Sequence, residues 1–414
     1  MRTEPREAAI IRNSDKLVVA ALGGAEIINY GTLYYCVAVV AGHVAADFAI
    51  SDAAIFASFS FALFASGLMS FPAGSLMDRY GAGITMKIAS VAAALSLGLA
   101  AISWNIIVFM LALFGMQIAS AFLFYEAAFV LLVQRNALRA RRHIILLTLI
   151  VGFSSTLFWP LTSLLLNVLS WREVLALYAG CNIFVALPLI GFAHDLRSPS
   201  ADNENNSENL QVGSQRSPRA VDLVLVTTGF SLTTFVFSAL LGQMIPILSA
   251  IGLGQGGAMI SALFGPSQVL IRLFASSLSE RMGAIHLTIL SSVLLSVATA
   301  VVAMASDSIM GASVFVVLLG FSSGLNSICR GALPLSIFGQ NGYGRRIGLI
   351  NGFRLSMASF APYFFSFTQT HHGTIVALTA LVACGFLSVL AFVLVTIRPA
   401  GPASRDTNNQ RNSE

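Results

Sequence analysis

The chain has 414 residues, of which 56% are apolar and only 10% are charged. Water-soluble domains carry about 25% charged residues, so this chain cannot clothe a water-facing surface and lipid must cover most of it. Its net charge of +5 sits in short loops between apolar runs, which is a membrane-topology pattern and not a nucleic-acid patch.

Residues 1–16 are polar and lead into an apolar run much longer than a signal-peptide core. A retained membrane helix is therefore expected, not a cleaved leader. A helix needs about 20 apolar residues to cross the hydrocarbon layer. Runs of that size fall near 17–43, 53–73, 84–104, 106–130, 144–168 and 173–193. They resume near 222–249, 256–278, 286–305, 309–333, 347–369 and 374–397. Backbone groups in lipid must bond within their own segment, so all twelve spans are predicted to be helices. The expected fold class is an all-α integral membrane protein, with twelve transmembrane helices in two pseudo-symmetric six-helix bundles over 17–194 and 221–397. Residues 195–220, with their polar DNENNSENLQ stretch, read as a linker, and 398–414 as a tail.

Nineteen of the 23 basic residues fall on the side that holds both termini and the linker, if the amino terminus is cytoplasmic. The opposite side holds Arg172 alone, and Arg272, Arg330 and Arg354 lie within spans. Such asymmetry predicts cytoplasmic termini. Asn205-Asn206-Ser207 matches a glycosylation acceptor, but this topology places it in the cytoplasm. Cys36, Cys181, Cys329 and Cys384 lie in apolar runs at spacings that fit no disulfide framework or metal motif. They read as single buried thiols, with a soft-metal or metalloid role for Cys36 or Cys329 as the alternative.

The phrase GSLMDRYGAG, Gly74 to Gly83, returns 202 residues later as SSLSERMGAI, Ser276 to Ile285. Leu76, Arg79, Gly81 and Ala82 match Leu278, Arg281, Gly283 and Ala284, and Glu280 replaces Asp78. The same offset carries Pro160 onto Pro362. An offset near half the chain marks an internal repeat, as in transporters built around a pseudo-symmetry axis. In the turn after span 2, Gly74 permits close helix contact, Asp78 can hold a helix amino terminus, and Arg79 and Lys87 can grip headgroups or partner helices. Gly81 lets the chain reverse. Glu280, Arg281 and Gly283 are the second copy of this gate, and Arg354 in span 11 is read as a complement to Asp78. The worn second copy is expected to face a helix 5 without such a charge.

GSLMDRYGAGITMK resembles the signature loop of the major facilitator superfamily, with a weaker copy in SLSERMGA. The resemblance spans the whole chain through its repeat and topology. It implies a cavity between two bundles, lined by helices 1, 4, 7 and 10, and alternating access by rocking. It also implies that the motif aspartate contacts the start of helix 11. Two departures stand out: span 4 has Gln117 where proton-coupled drug exporters carry an arginine, and span 5 has Gly152 and Pro160 but not their full glycine-proline motif. YEAAF, STLFWPLT, GPSQVLIR and RGALPLSIFG are loosely similar to little-characterised bacterial members, some linked to trivalent arsenic export.

Five ionisable residues fall inside spans: Glu26, Glu126, Arg272, Arg330 and Arg354. A charge at the centre of an isolated helix costs about 2.5–3.5 kcal/mol, so each should face protein or water and find a partner. The repeat puts Glu126 level with position 328, and a Glu126–Arg330 pair is expected to close the cytoplasmic mouth. The alternative is that Glu26 or Glu126 carries a proton while Arg272 or Arg330 holds an anion. Monocarboxylate carriers of the superfamily place an arginine like Arg272 in helix 8. Glu26, Tyr30 and Tyr34 form a polar stripe at helical spacing on span 1. Gln243 and Asn326 are further candidates for the cavity wall, as ligands or as interhelical bonds.

The expected function is secondary transport of a small solute, with proton-coupled efflux of a toxic or waste compound first and uptake of a small carboxylate second. A non-transporting receptor or scaffold is the rival class. An enzyme is not expected, since no nucleotide, zinc-protease or nucleophile motif is present. Neither cofactor nor metal is expected. The partners are a solute, protons and the lipid bilayer, and the chain is expected to be a monomer in a bacterial inner membrane.

Overall fold

A computed structural model of the chain describes residues 5–196, 220–248, 256–304 and 308–397, without the side chains of 5–13, 245–246, 256–258, 276–277 and 279–280. Most of the predicted linker, the tail and the Glu280 side chain lie outside the described residues. In chain order the first six helices are α1 (Ser14–Asp47), α2 (Asp52–Tyr80), α3 (Ala82–Ala101), α4 (Ile106–Arg135), α5 (Ala137–Leu166) and α6 (Trp171–Asp195). The second six are α7 (Ala220–Gly242), α8 (Phe264–Arg281), α9 (Ala284–Met304), α10 (Ile309–Phe338), α11 (Tyr343–His372) and α12 (Thr374–Ile397). Ten of these are long and apolar enough to cross a membrane, and Met259–Ala275 is a shorter apolar helix. α11 has the length but carries Arg345, Arg346, Asn351 and Arg354. The twelve helices form the two six-helix bundles that the sequence implies.

Short polar residues start the helices at the membrane boundary. Ser51, Asn105, Asn136 and Ser308 each accept a bond from the backbone N–H three residues on, and Ser170 forms a capping box with Glu173. Such caps meet the amide groups that a helix start leaves orphaned.

All helices run alternately between a face that carries the linker ends and an opposite face. The first bundle has one continuous apolar core, and Leu335, Tyr343 and Ile347 of the second bundle join it. α2 packs along α11, and the linker-side half of α5 packs on α8 and α10. The bundles therefore close on the linker face. Towards the opposite face Tyr34, Trp159 and Phe360 are exposed.

The first bundle is irregular at mid-depth. α1 contains a π-helical turn, Gly31–Tyr35, in which the Cys36 N–H reaches Gly31 O. α6 has a matching turn, Asn182–Ala186, and Asn182 Nδ2 donates to Thr32 Oγ1 at 2.9 Å. α4, expected to be continuous, breaks into Ile106–Ser120 and Tyr125–Arg135. α5 breaks between Ala137–Val151 and Ser154–Leu166. π turns and mid-membrane breaks recur where transporters line a cavity.

Candidate functional site

Glu126 is the centre of the charged cluster. It occupies the first turn of the helix Tyr125–Arg135, where the exposed amide dipoles favour a negative charge. Its Oε1 accepts from Arg330 Nη1 at 3.2 Å and from Arg354 Nη2 at 3.1 Å. Both arginines come from the other bundle, on α10 and α11. The Arg330 guanidinium also lies 5.7 Å from the Tyr125 ring centroid, a cation–π distance. Arg354 Nε donates to Asn351 Oδ1 at 3.0 Å, and Asn351 Nδ2 donates to Ser70 Oγ on α2 at 3.0 Å. Ser70 in turn donates to Ser66 O, and Ser66 shares a bond with Ser120 on α4. One polar chain thus crosses from bundle to bundle and back.

Arg354 does not complement Asp78. It lies ten residues, about 15 Å, along α11 from the amides that Asp78 holds. Asp78 Oδ1 accepts from Gly344 N at 2.9 Å and Oδ2 from Arg345 N at 2.7 Å, at the first turn of α11. Gly74 makes the approach possible: a Cβ there would overlap Gly344 O and lie 3.1 Å from Gly348 Cα. Gly81 ends α2 at φ +86°, a conformation that favours glycine. Arg79 is exposed and stacks over Tyr80. Lys87 bonds Asp195 of its own bundle at 3.1 Å, so it ties α3 to α6 and does not reach α11.

The second loop copy is differently held. Arg281 is exposed, and Gly283 has only His286 Nδ1 near its missing Cβ. Helix α5 does bring a charge here, against expectation: Arg141 Nη2 donates to Met282 O at 2.9 Å. The contact to the second loop copy thus uses a backbone carbonyl, which leaves no charge signature in the loop itself. Nearby, buried Asp15 pairs with Arg139 at 2.9 Å and lies 3.8 Å from Arg135 and 3.9 Å from His143. Sequence reading missed Asp15 because it sits in a polar amino-terminal stretch with no motif.

Glu26 is fully enclosed beside the Asn29 side chain, which is placed to donate to its carboxylate, and no basic group pairs with it among the described residues. Glu126 lies within its electrostatic reach. The π turn widens the helix after Tyr30 and brings Tyr35 beside it, so the predicted Glu26–Tyr30–Tyr34 stripe gains a third ring. The Tyr30 and Tyr35 centroids are 6.3 Å apart, while Tyr34 is partly exposed, packs on Phe59 at 5.5 Å and lies within electrostatic reach of Arg354 on the other bundle. Tyr30 stacks on Phe124 at 4.0 Å and tilts on Tyr125 at 5.0 Å. Tyr35 meets the edge of Trp159 at 5.7 Å.

Arg272, 4% exposed, has Nε and Nη1 without a hydrogen-bond partner and no ion pair among the described residues. Its guanidinium packs against Gly152 at the α5 break, where a Cβ would overlap Nη1. Asn326 is buried one turn before Arg330 on α10. Gln117 Nε2 donates to Leu33 O at 2.7 Å and so ties α4 to α1. Gln243 lies past the end of α7 on the opposite face, away from the charged cluster. The described residues hold no cluster of three or more His, Cys, Asp or Glu suited to a metal, and Cys36 donates to its own helix at Thr32 O.

Two six-helix bundles, closed on one face around a buried inter-bundle charge cluster, define a membrane transporter. The family model described as Major Facilitator Superfamily matches residues 24–362, and the chain belongs to that family. Among solved structures, the human organic anion transporter MFSD10 (TETRAN) aligns with a TM-score of 0.72 and 14% identity, over 91% of this chain and 99% of that one. The transporter FucP in the outward conformation aligns with a TM-score of 0.69 and 13% identity, over 92% and 99%. At these identities the likeness is one of fold. Comparison with the curated proteins finds no match.

Proposed function

We propose that the chain is a proton-coupled secondary transporter that moves a small solute by alternating access, with Glu26 as its proton carrier. The observation that carries this reading is the full enclosure of Glu26 with no basic partner among the described residues, its polar neighbours being the Asn29 side chain and Glu126. Such a carboxyl is least costly when it holds a proton. Proximity to Glu126 couples its charge to the gate, because adding a second negative charge there changes the balance around Arg330 and Arg354.

The positive-inside pattern supports a bacterial inner membrane with the linker face in the cytoplasm. On this reading the chain is an outward-facing monomer whose cytoplasmic side Asp78 latches and Glu126 gates, a reading supported by the inter-bundle contacts of both residues on the linker face. Residues 1–16, 195–220 and 398–414 form the cytoplasmic segments around the bundles 17–194 and 221–397. Efflux of a small toxic or waste compound is the first direction. Arg272 supports a second reading, uptake of a small carboxylate.

Proteoliposomes with an imposed pH gradient test the proposal. The native chain accumulates solute against its gradient, and Glu26→Gln keeps solute exchange at equal concentration but loses gradient-driven accumulation. Accumulation retained by Glu26→Gln would remove Glu26 from the mechanism. Gradient-dependent flux of any solute excludes the receptor reading.

A further inference from the structure

The linker-side ends of α1 and α5 carry a basic rim that the inter-bundle cluster does not use. We propose that Lys16, Arg139 and Arg142 bind the headgroup of an anionic phospholipid, which steadies the neighbouring contact between the bundles. The inference needs neither proton coupling nor a direction of transport.

The register of the two helices brings the rim together. Asp15 of α1 pairs with Arg139 of α5 at 2.9 Å, and further along a Cβ at Gly23 would overlap Ile150, so the helices run side by side. Lys16 precedes Gly23 by seven residues and therefore lies on the same flank of α1, beside α5. On α5, Leu138, Arg142 and Leu146 are exposed at a spacing of four, which is one helix face. Ala140, Ile144 and Leu147 are buried on the opposite side. The exposed face thus meets lipid, and Arg142 stands within it between two leucines.

The charges of the rim are unanswered. Lys16 and Arg142 are exposed and make no hydrogen bond or ion pair among the described residues. Arg139 reaches Asp15 through Nη1, and its side chain is 44% exposed. Asp15 is already surrounded by Arg135, Arg139 and His143, so it cannot balance Lys16 and Arg142 as well. A phosphodiester suits this set, because a guanidinium fork grips two of its oxygens and an ammonium adds a compact charge. The apolar neighbours decide for a lipid over a free anion. Leu17, Leu138 and Leu146 lie exposed around the cations, where acyl chains cover them while the basic groups reach the headgroup layer. Arg142 also adjoins Arg141, whose Nη2 donates to Met282 O of the other bundle at 2.9 Å. A headgroup that fixes the start of α5 fixes that contact too.

The test is equilibrium binding to the purified full chain in non-ionic detergent, by native mass spectrometry and thermal unfolding. The probes are dioctanoyl phosphatidylglycerol, dioctanoyl phosphatidylcholine, glycerophosphoglycerol and inorganic phosphate. Phosphatidylglycerol binds more tightly than the other three. Lys16→Gln and Arg142→Gln each weaken it roughly 5-fold, and together roughly 30-fold, as expected for basic groups at a membrane surface. Arg281→Gln removes one exposed charge elsewhere on the same face and leaves the affinity unchanged. Hydrogen exchange at the Met282–Ala284 turn slows when phosphatidylglycerol is added to the native chain, but not in the double variant. Equal affinity for phosphatidylcholine would reduce the rim to a general lipid contact, and equal affinity for either chainless anion would make it a soluble-anion site. Either result overturns the proposal, as do unchanged affinity in the double variant, an equal loss in Arg281→Gln, or exchange at the turn that ignores the lipid.

Discussion

Arg354 and Glu126 sit on opposite bundles, and a 3.1 Å hydrogen bond from Nη2 to Oε1 joins them. The same oxygen accepts from Arg330, so the inter-bundle contact is a shared acceptor with two donors and not a simple pair. Glu126→Gln should cost the linker-closed state about 3–5 kcal/mol, the range for breaking a buried ion pair. The charge swap Glu126→Arg with Arg330→Glu should recover only part of this, because Arg354 then faces a second guanidinium where its acceptor stood. Thermal unfolding in detergent reads both effects. Full recovery in the swap would show that Arg354 is incidental to the gate.

Gly74→Val should push the population away from the closed linker face. Its Cβ would occupy the space of Gly344 O, and each 1.4 kcal/mol of strain changes the ratio of states about tenfold. Spin-label distances between Ser75→Cys and Gln340→Cys report the opening. Gly98→Ala is the control: no atom lies within 4 Å of its Cβ, and its distances should match the native ones.

Asp78→Asn should loosen the start of α11. The carboxylate accepts from two amides, Gly344 and Arg345, and an amide side chain can accept only at its oxygen. The cost is about 1.5–3 kcal/mol. Hydrogen exchange at these two amides should quicken, while exchange within α12 stays unchanged. Equal protection in both proteins contradicts the latch.

Gly31→Ala should destabilise the first bundle by about 1–3 kcal/mol, as overpacking does, because Phe158 occupies the space of its Cβ. Phe158→Leu in the same chain should recover most of that loss. Additive losses in the double mutant would show that the two sites are independent.

Lys87→Met should change stability by less than about 1 kcal/mol and leave the conformational balance alone, since its half-exposed pair with Asp195 stays within one bundle. A shift in the spin-label distances would restore Lys87 to the gate.

Apolar run length was enough to read twelve helices and two bundles, because lipid forces each span to satisfy its own backbone. The repeat made Glu126 and Arg330 level, and they are in contact. What the sequence concealed was departure from the 3.6-residue period. Nothing in GTLYY announces a π turn, so the place of Tyr35 beside Tyr30 was not visible. Nothing in SAFLFYE announces a break, since its residues are as apolar as a helix interior. Arg354 was assigned to Asp78 by proximity of motif, but about 15 Å of helix separates them. Asp15 and the Arg141 contact to Met282 O depend on packing between distant segments, which one sequence does not encode visibly.

The spans descend from one repeated unit but have become mechanically unlike. α1, α4, α5 and α6 are interrupted at mid-depth, and the second half is interrupted at Gln243 and at Ala262–Leu263, whereas α2, α10 and α11 run 29, 30 and 30 residues without a break. Stiff rods transmit displacement over their length, and interrupted ones absorb it locally. The paired rods α2 and α11, joined at Gly74 and Gly344, are thus suited to act as levers across the bundle interface. The interrupted spans are suited to yield locally at mid-depth while these rods keep their length.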